Sequence, residues 1–165
     1  GGVDQLPRLL GGQIRLMAIA LGDNYLRLNK ADAAEQAGFT LPALIDPSAV
    51  IAESVSVGAG VVIGAGAIIN GDAKLLRCVI VNSGAIVEHD CIISDGVHIA
   101  PGVILAGQVS VGSCTLVSMG TSVRNGIRIG RSSIIGVGSA VVCDIPDDVV
   151  AFGVPARVVR STLRT

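Results

Sequence analysis

The stretch VEHDCIISDGVHIAPG, residues 87–102, carries the only two histidines of a 165-residue chain, His89 and His98. Imidazole is the side chain whose charge changes near neutral pH, so these two are the first candidates for general acid–base work. Asp90 follows His89, and a carboxylate beside an imidazole can hold its orientation and stabilise its protonated form. Cys78, Cys91, Cys114 and Cys143 form no CxxC pair. With only two histidines beside them they give little support to a zinc site, so no metal is expected.

Two histidines nine residues apart cooperate only if the elements carrying them allow it. Stepping by six from Ile45 to Val141 meets seventeen positions, and every one is Ile, Val or Leu. The residue after each is often Gly or small, as in VGAGVV, IGAGAI, VGSCTL and IGRSSI, and the fourth after it is mostly small or branched (Ala49, Val55, Val61, Ala67). A period of six is neither the helical 3.6 nor the strand 2. It fits a short β segment and a tight turn, repeated around a coil whose inward layer is buried by the windings above and below. Such a core needs no aromatics, which matches one Tyr, two Phe and no Trp beside 22 Gly.

The pattern closely resembles the hexapeptide repeat of left-handed parallel β-helix proteins. The resemblance implies three hexads per triangular winding of 18 residues, and it implies the hand. The expected fold is mainly β: a left-handed parallel β-helix over 45–146, a partial small α/β domain over 1–44 before it, and a tail over 147–165. With 18 residues per winding, His89 and His98 are half a circuit apart on a triangle whose sides are roughly 15 Å or more. They cannot share a proton or a metal within one chain; either they are unrelated, or the site lies between subunits. Gly107 follows His89 by 18 residues, one rung or about 4.8 Å along the axis. A base with a bare backbone N–H one rung away suits acyl transfer: the base takes a proton from the nucleophile and the amide stabilises the oxyanion. A lone histidine in such a turn is more often a surface residue, but these are the chain's only two and they flank one segment. Cys78 and Cys114 would lie two rungs apart, about 9–10 Å, too far for a disulfide.

Outside the repeat, IRLMAIAL (14–21) reads as a buried strand. Residues 24–37 read as a helix stopped by Gly38, and the tail reads as helical from Pro155. A net charge of −1 argues against a general nucleic-acid binder. Charge is uneven, however: residues 45–98 hold six acids and two bases, whereas 120–165 hold six Arg (124, 128, 131, 157, 160, 164) and three Asp. An anionic ligand is expected at that basic end, against the alternative of a solvated basic tail. The apolar runs are too short to cross a membrane and no signal peptide is visible, so a cytoplasmic location with reduced thiols is expected.

The segment GAIVEHDCIISDGVHIAPGVILAGQVSVG, with GDNYLR, AGFTLPALIDPSA, CDIPDD and GVPAR, resembles the sugar acyltransferases that include sialic acid O-acetyltransferases and N-acetyltransferases of UDP-4-amino-4,6-dideoxy sugars. The resemblance implies a homotrimer with acetyl-CoA between neighbouring β-helices. It places His89 as general base with Asp90 as acidic partner, His98 near the acetyl group, and the Gly107 amide at the thioester oxygen. It sets GVPAR, with Arg157, by the CoA nucleotide, and Asp23 and Asn24 on the sugar side. Family members begin with a strand and a Gly-rich turn that this sequence, starting GGVDQLPRLL, does not show; residues 1–44 are therefore expected to be the remnant of a sugar-nucleotide-binding domain.

The leading expectation is acetyl-CoA-dependent N-acetylation of a nucleotide-linked amino sugar in bacterial glycan biosynthesis. O-acetylation of a sugar or sialic acid is the alternative, with the same chemistry at His89. A γ-type carbonic anhydrase needs three histidines on zinc. A non-catalytic scaffold or ice-binding helix would carry flat Thr arrays that are missing here.

Overall fold

The computed structural model describes residues 6–11 and 13–163; Arg164 lies outside them. Helix α1 spans Leu6–Gly11 and helix α2 spans Asn24–Gln36. Seventeen two-residue strands then run from Leu44–Ile45 to Ala140–Val141, followed by the longer strands Val149–Gly153 and Ala156–Ser161.

The short strands stack as three parallel faces, each strand pairing with the one 18 residues on. The first face carries Leu44, Val62, Ile80, His98, Leu116 and Ile134 in register. The second carries Val50, Ile68, Ile86, Ile104, Ser122 and Ala140. The third carries Ser56, Lys74, Ile92, Ser110 and Arg128. The chain is thus a β-solenoid of about six windings, with no insertion breaking register between 45 and 141.

Two residues of each hexad point inward. The aliphatic positions Val87, Ile93, Ile99 and Leu105 are fully buried, and so are the positions four residues after each aliphatic, Cys91, Val97, Val103 and Val109. Large and small side chains alternate around each winding, which lets successive layers fill the interior without aromatics. From Gly60 to Gly138 each corner turns on one residue with positive φ, and these recur every six residues, among them Gly84, Asp90, Gly96, Gly102, Gln108 and Cys114. Asp tolerates that conformation better than most residues because its short side chain bonds locally.

Helix α2 is clamped along the corner between the third and first faces. Arg27 is fully buried. Its Nε donates to the carbonyl of Cys78 at 2.9 Å, its Nη2 to Gly96 at 2.8 Å, and its Nη1 to Leu21 at 2.8 Å. Asn24 Nδ2 donates to the carbonyl of Cys114 at 3.0 Å, and Tyr25 hydroxyl bonds Ser132 Oγ at 2.6 Å. Cys78, Gly96, Cys114 and Ser132 are one corner column, so three side chains from the first turn of α2 are tied to four successive rungs. Arg77 adds an ion pair to Asp32 and another to Glu35 at 2.8 Å. Ala31 and Ala34 pack with Phe39, Leu41 and Cys78 in a second small core.

The helix expected over 24–37 forms, ended by Gly38 at φ 97. Two flanking expectations are corrected. Residues 14–21 make only an isolated bridge, Leu16 to Thr40, and Ile14 and Leu16 are exposed; without a second neighbour the segment is not a buried strand. Residues 156–161 are a strand, antiparallel to Val149–Gly153, which itself continues the first face beyond Ile134. The β-branched pair Val158 and Val159 favours a strand, and the segment finds a ready sheet edge along Val149–Gly153. Among the described residues no helix is long and apolar enough to cross a membrane.

Replacing Arg27 by Met keeps volume but leaves the carbonyls of Cys78, Gly96 and Leu21 without their donor. Urea unfolding followed by circular dichroism is expected to show a loss of about 3 kcal/mol. Unchanged stability would remove Arg27 as the clamp.

Candidate active site

His89 and Asp90 form the corner between the second and third faces. The corner ladder stacks this winding on its neighbours: Asp90 N–H donates to the carbonyl of Gly71 at 3.0 Å, Gln108 N–H to that of His89 at 2.9 Å, and Gly126 N–H to that of Gly107 at 3.0 Å. His89 and Gly107 are therefore axial neighbours. The imidazole lies against the glycine so closely that a Cβ built on Gly107 would sit 2.5 Å from His89 Nε2 and 2.6 Å from Cε1. A side chain at 107 would push the ring away. Among the described residues the Gly107 N–H has no hydrogen-bond acceptor, and the residue is buried beneath the imidazole in the single chain.

His89 Nδ1 bonds Asp90 Oδ2 at 2.8 Å. A carboxylate only accepts, so Nδ1 carries the proton and Nε2 keeps its lone pair. The hydrogen bond to Asp90, helped by the charges of Asp90 and Glu88, holds the His89 pKa above the ordinary histidine value. Both side chains are more than half exposed in the single chain. Glu88 is held one rung from Asn70, whose Nδ2 donates to Glu88 Oε2 at 2.9 Å. Neither Glu88 nor Asn70 stood out in the sequence, although their 18-residue spacing is the signal that pairs His89 with Gly107. Cys91, next in the chain, points inward; burial pushes its thiol up to about 11, which rules it out as a nucleophile at neutral pH.

His98 is on the first face, between Ile80 and Leu116, and is not brought to His89. It is half-buried beside the entry to α2, with Asn82 Nδ2 3.3 Å from its Nε2. Burial, reinforced by the Arg27 charge and opposed by the Gly22 backbone, lowers its pKa, so it is neutral at neutral pH. Asp23 caps α2, its Oδ1 accepting from Leu26 N–H at 2.8 Å. Asn24 is buried, with its amide oxygen on Arg27 and its nitrogen on Cys114. Both line an open cavity of about 560 Å³ with Tyr25, Cys114, Ser132 and Asp148, away from the His89 corner. Arg157 is exposed on the final hairpin, opposite Phe152, with Nη1 donating to the carbonyl of Ala156 at 2.9 Å. That hairpin begins three strands beyond His98 on the same face, about 14 Å along the axis. Among the described residues no group of three or more His, Cys, Asp or Glu is placed to hold a metal.

A base with a fixed tautomer, a carboxylate behind it and an unpaired amide one rung away can deprotonate a nucleophile and stabilise an oxyanion at one spot. Comparison with known proteins agrees with that chemistry. No family model matches the chain. A 35-residue segment is 63% identical to galactoside O-acetyltransferase of Lactococcus lactis, covering 21% of this chain and 17% of that protein. A 39-residue segment is 41% identical to 2,3,4,5-tetrahydropyridine-2,6-dicarboxylate N-acetyltransferase of Clostridium perfringens, 16% of its length. These matches span less than a fifth of the curated relatives. Two solved structures match far more. PerB of Caulobacter crescentus, in complex with CoA and GDP-perosamine, has 42% identity and a TM-score of 0.93, covering 93% of this chain and 74% of that one. The acetyltransferase domain of PglB from Neisseria gonorrhoeae, in complex with acetyl coenzyme A, has 36% identity and a TM-score of 0.85, covering 86% and 69%.

A general base works in its neutral form, so activity carried by His89 is expected to fall as pH drops through its raised pKa. Asp90→Asn keeps a residue that tolerates the corner's positive φ but removes the charge. The acid limb of the kcat/KM profile is expected to move to lower pH and the plateau to fall; a limb left in place would show that Asp90 does not set the His89 pKa.

Proposed function

Because the chain belongs to the hexapeptide-repeat sugar acyltransferases that include PerB, with 42% identity and 74% of that protein covered, we propose that it transfers the acetyl group of acetyl-CoA to the amine of a nucleotide-linked amino sugar. The observation that carries this reading is the contact of His89 with Gly107, with Asp90 behind the ring. The amine nitrogen attacks the thioester carbonyl carbon and the carbonyl oxygen takes the electron pair as an oxyanion, which the Gly107 N–H stabilises. His89 Nε2 takes the proton from the attacking nitrogen; the C–S bond breaks as the oxyanion collapses, and the CoA thiolate leaves and is protonated. Asp90 holds the ring and offsets the imidazolium charge. An acceptor that arrives as ammonium first loses one proton through neutral His89 to solvent; the second proton, taken by His89 from the attacking nitrogen, is passed to the departing CoA thiolate. The resemblance alone points to a UDP-linked sugar; PerB was solved with a GDP-linked one, so the amino sugar rather than the base defines the substrate class.

The active unit in this reading is a homotrimer. His98 lies half a circuit from His89 in the same chain, so only a neighbour's His98 can approach the acetyl group. The first face of that neighbour, with its terminal hairpin, would then flank acetyl-CoA and bring Arg157 toward its phosphates, where a guanidinium forms paired hydrogen bonds. Asp23 and Asn24 stay as sugar-side candidates: they line a cavity, though their polar atoms already serve α2. A cytoplasmic site of action follows from the acetyl-CoA supply this reaction needs.

A thiol-release assay with acetyl-CoA and a panel of nucleotide amino sugars, beside hydroxyl acceptors, tests the reading. The expected result is turnover with amines, falling 10²–10⁴-fold in His89→Ala while acetyl-CoA binding persists. Full activity in that variant would remove His89 as base, and turnover with hydroxyl acceptors alone would replace N- by O-acetylation.

A further inference from the structure

Cys91 stands at the His89 corner and has no part in the reaction proposed above. It points inward and is fully buried. Its inward column reads Val55, Ala73, Cys91, Val109 and Ile127 on successive rungs, and the other four carry only hydrocarbon. The S–H donates to the carbonyl of Ala106 at 3.3 Å, and the backbone N–H groups of Val109 and Gln108 lie against the same sulfur. The thiol thus sits inside the turn 106–109 that carries Gly107. The preceding corner is closed directly, by Val103 N–H on the carbonyl of Ala100 at 3.3 Å, whereas among the described residues no such bond closes 106–109. Elsewhere a hydroxyl makes the same contact. Thr115 Oγ1 donates to the carbonyl of Gly130 at 2.7 Å and Thr121 Oγ1 to that of Gly136 at 3.1 Å, each fifteen residues on, as Ala106 is from Cys91.

Taking the acetyltransferase reading as its premise, we propose that Cys91 is a positioning residue for the oxyanion donor: its thiol holds the peptide between Ala106 and Gly107 with the carbonyl turned into the core and the N–H turned out. That peptide is trans, and a trans peptide carries its C=O and N–H on opposite sides. With the Ala106 oxygen drawn to a sulfur in the solenoid interior, the Gly107 N–H faces the surface, where a thioester oxygen meets it. A buried carbonyl needs a donor. Without the thiol, the nearest remedy is a tilt of the peptide toward Val109 N–H, which swings the Gly107 N–H with it. The contact also acts electronically, because a donor on the carbonyl polarises the amide and strengthens its N–H as a donor. Burial keeps the thiol protonated, with its pKa pushed up to about 11, so the S–H is present across the neutral range.

Two variants of matched shape on the full chain test the role. Cys91→Val places a side chain that the same column already buries at Val109, and it has no donor. Cys91→Thr has that shape with a hydroxyl set as in Thr115 and Thr121. With acetyl-CoA and a nucleotide amino sugar, Cys91→Val is expected to lower kcat about tenfold, a fraction of what losing an oxyanion donor outright costs, while KM for acetyl-CoA stays within about twofold. Cys91→Thr is expected to keep about half of the wild-type kcat or more. The Gly107 amide proton, followed by NMR in isotope-labelled protein, is expected to move upfield in Cys91→Val and to stay near its wild-type position in Cys91→Thr. A Cys91→Thr variant as slow as Cys91→Val, a Cys91→Val variant as fast as wild type, or one Gly107 amide position shared by all three proteins would overturn the positioning role alone. A wild-type protein inert to every nucleotide amino sugar would overturn the acetyltransferase reading and this role with it.

Discussion

The whole molecule depends on the backbone hydrogen-bond ladder that closes every 18 residues. Each strand N–H finds the carbonyl of the next winding, as Ile86 does with Val103 and Ile104 with Thr121. Because the ladder runs unbroken, residue n stands over residue n + 18 everywhere between 45 and 141. That one rule makes His89 the neighbour of Gly107, pairs Glu88 with Asn70, and lines up the carbonyls on which α2 is clamped. It also keeps His98 from His89, since half a winding is the largest separation a closed coil offers.

The rule places polar groups on the surface without cost to the core. Inward positions are saturated with Ile, Val, Leu and small residues, and the corners and outward strand positions are left for chemistry. At the His89 corner this freedom yields an imidazole, a carboxylate and an unpaired backbone amide within one rung. At another corner it yields a row of carbonyls that Arg27 and Asn24 occupy, extended by the Ser132 hydroxyl that bonds Tyr25. The buried guanidinium is acceptable there because four carbonyls, of Cys78, Leu21, Gly22 and Gly96, and the Asn24 side chain satisfy it; unsatisfied, it would carry a large desolvation cost.

Much of this was legible in the sequence, and unevenly so. The aliphatic step of six is visible because an inward residue has only one way to be buried, and with a winding of 18 the axial relation of 89 to 107 follows by counting. The Asp90–His89 bond was plausible but not decidable, because it depends on the corner's positive φ at Asp90. Segments without the repeat were read worst. The stretch 14–21 has the hydrophobicity of a buried strand but only one bridge, and 156–161 reads as a tail yet pairs with a strand whose edge composition does not reveal. Arg27 gave no signal, since a charged residue on a helix ordinarily faces water and its partners are backbone atoms. Cys91 was likewise silent, a small inward residue like the others of its column until the ladder set its thiol against the Ala106 carbonyl.

The most direct measurement is a crystal structure of the protein with acetyl-CoA. The account predicts the thioester oxygen 2.7–3.1 Å from the Gly107 nitrogen, the usual reach of an oxyanion donor, with His89 Nε2 facing the acetyl carbon and a neighbouring protomer's first face closing the groove. A thioester bound away from Gly107, or held by a lone subunit, would contradict it.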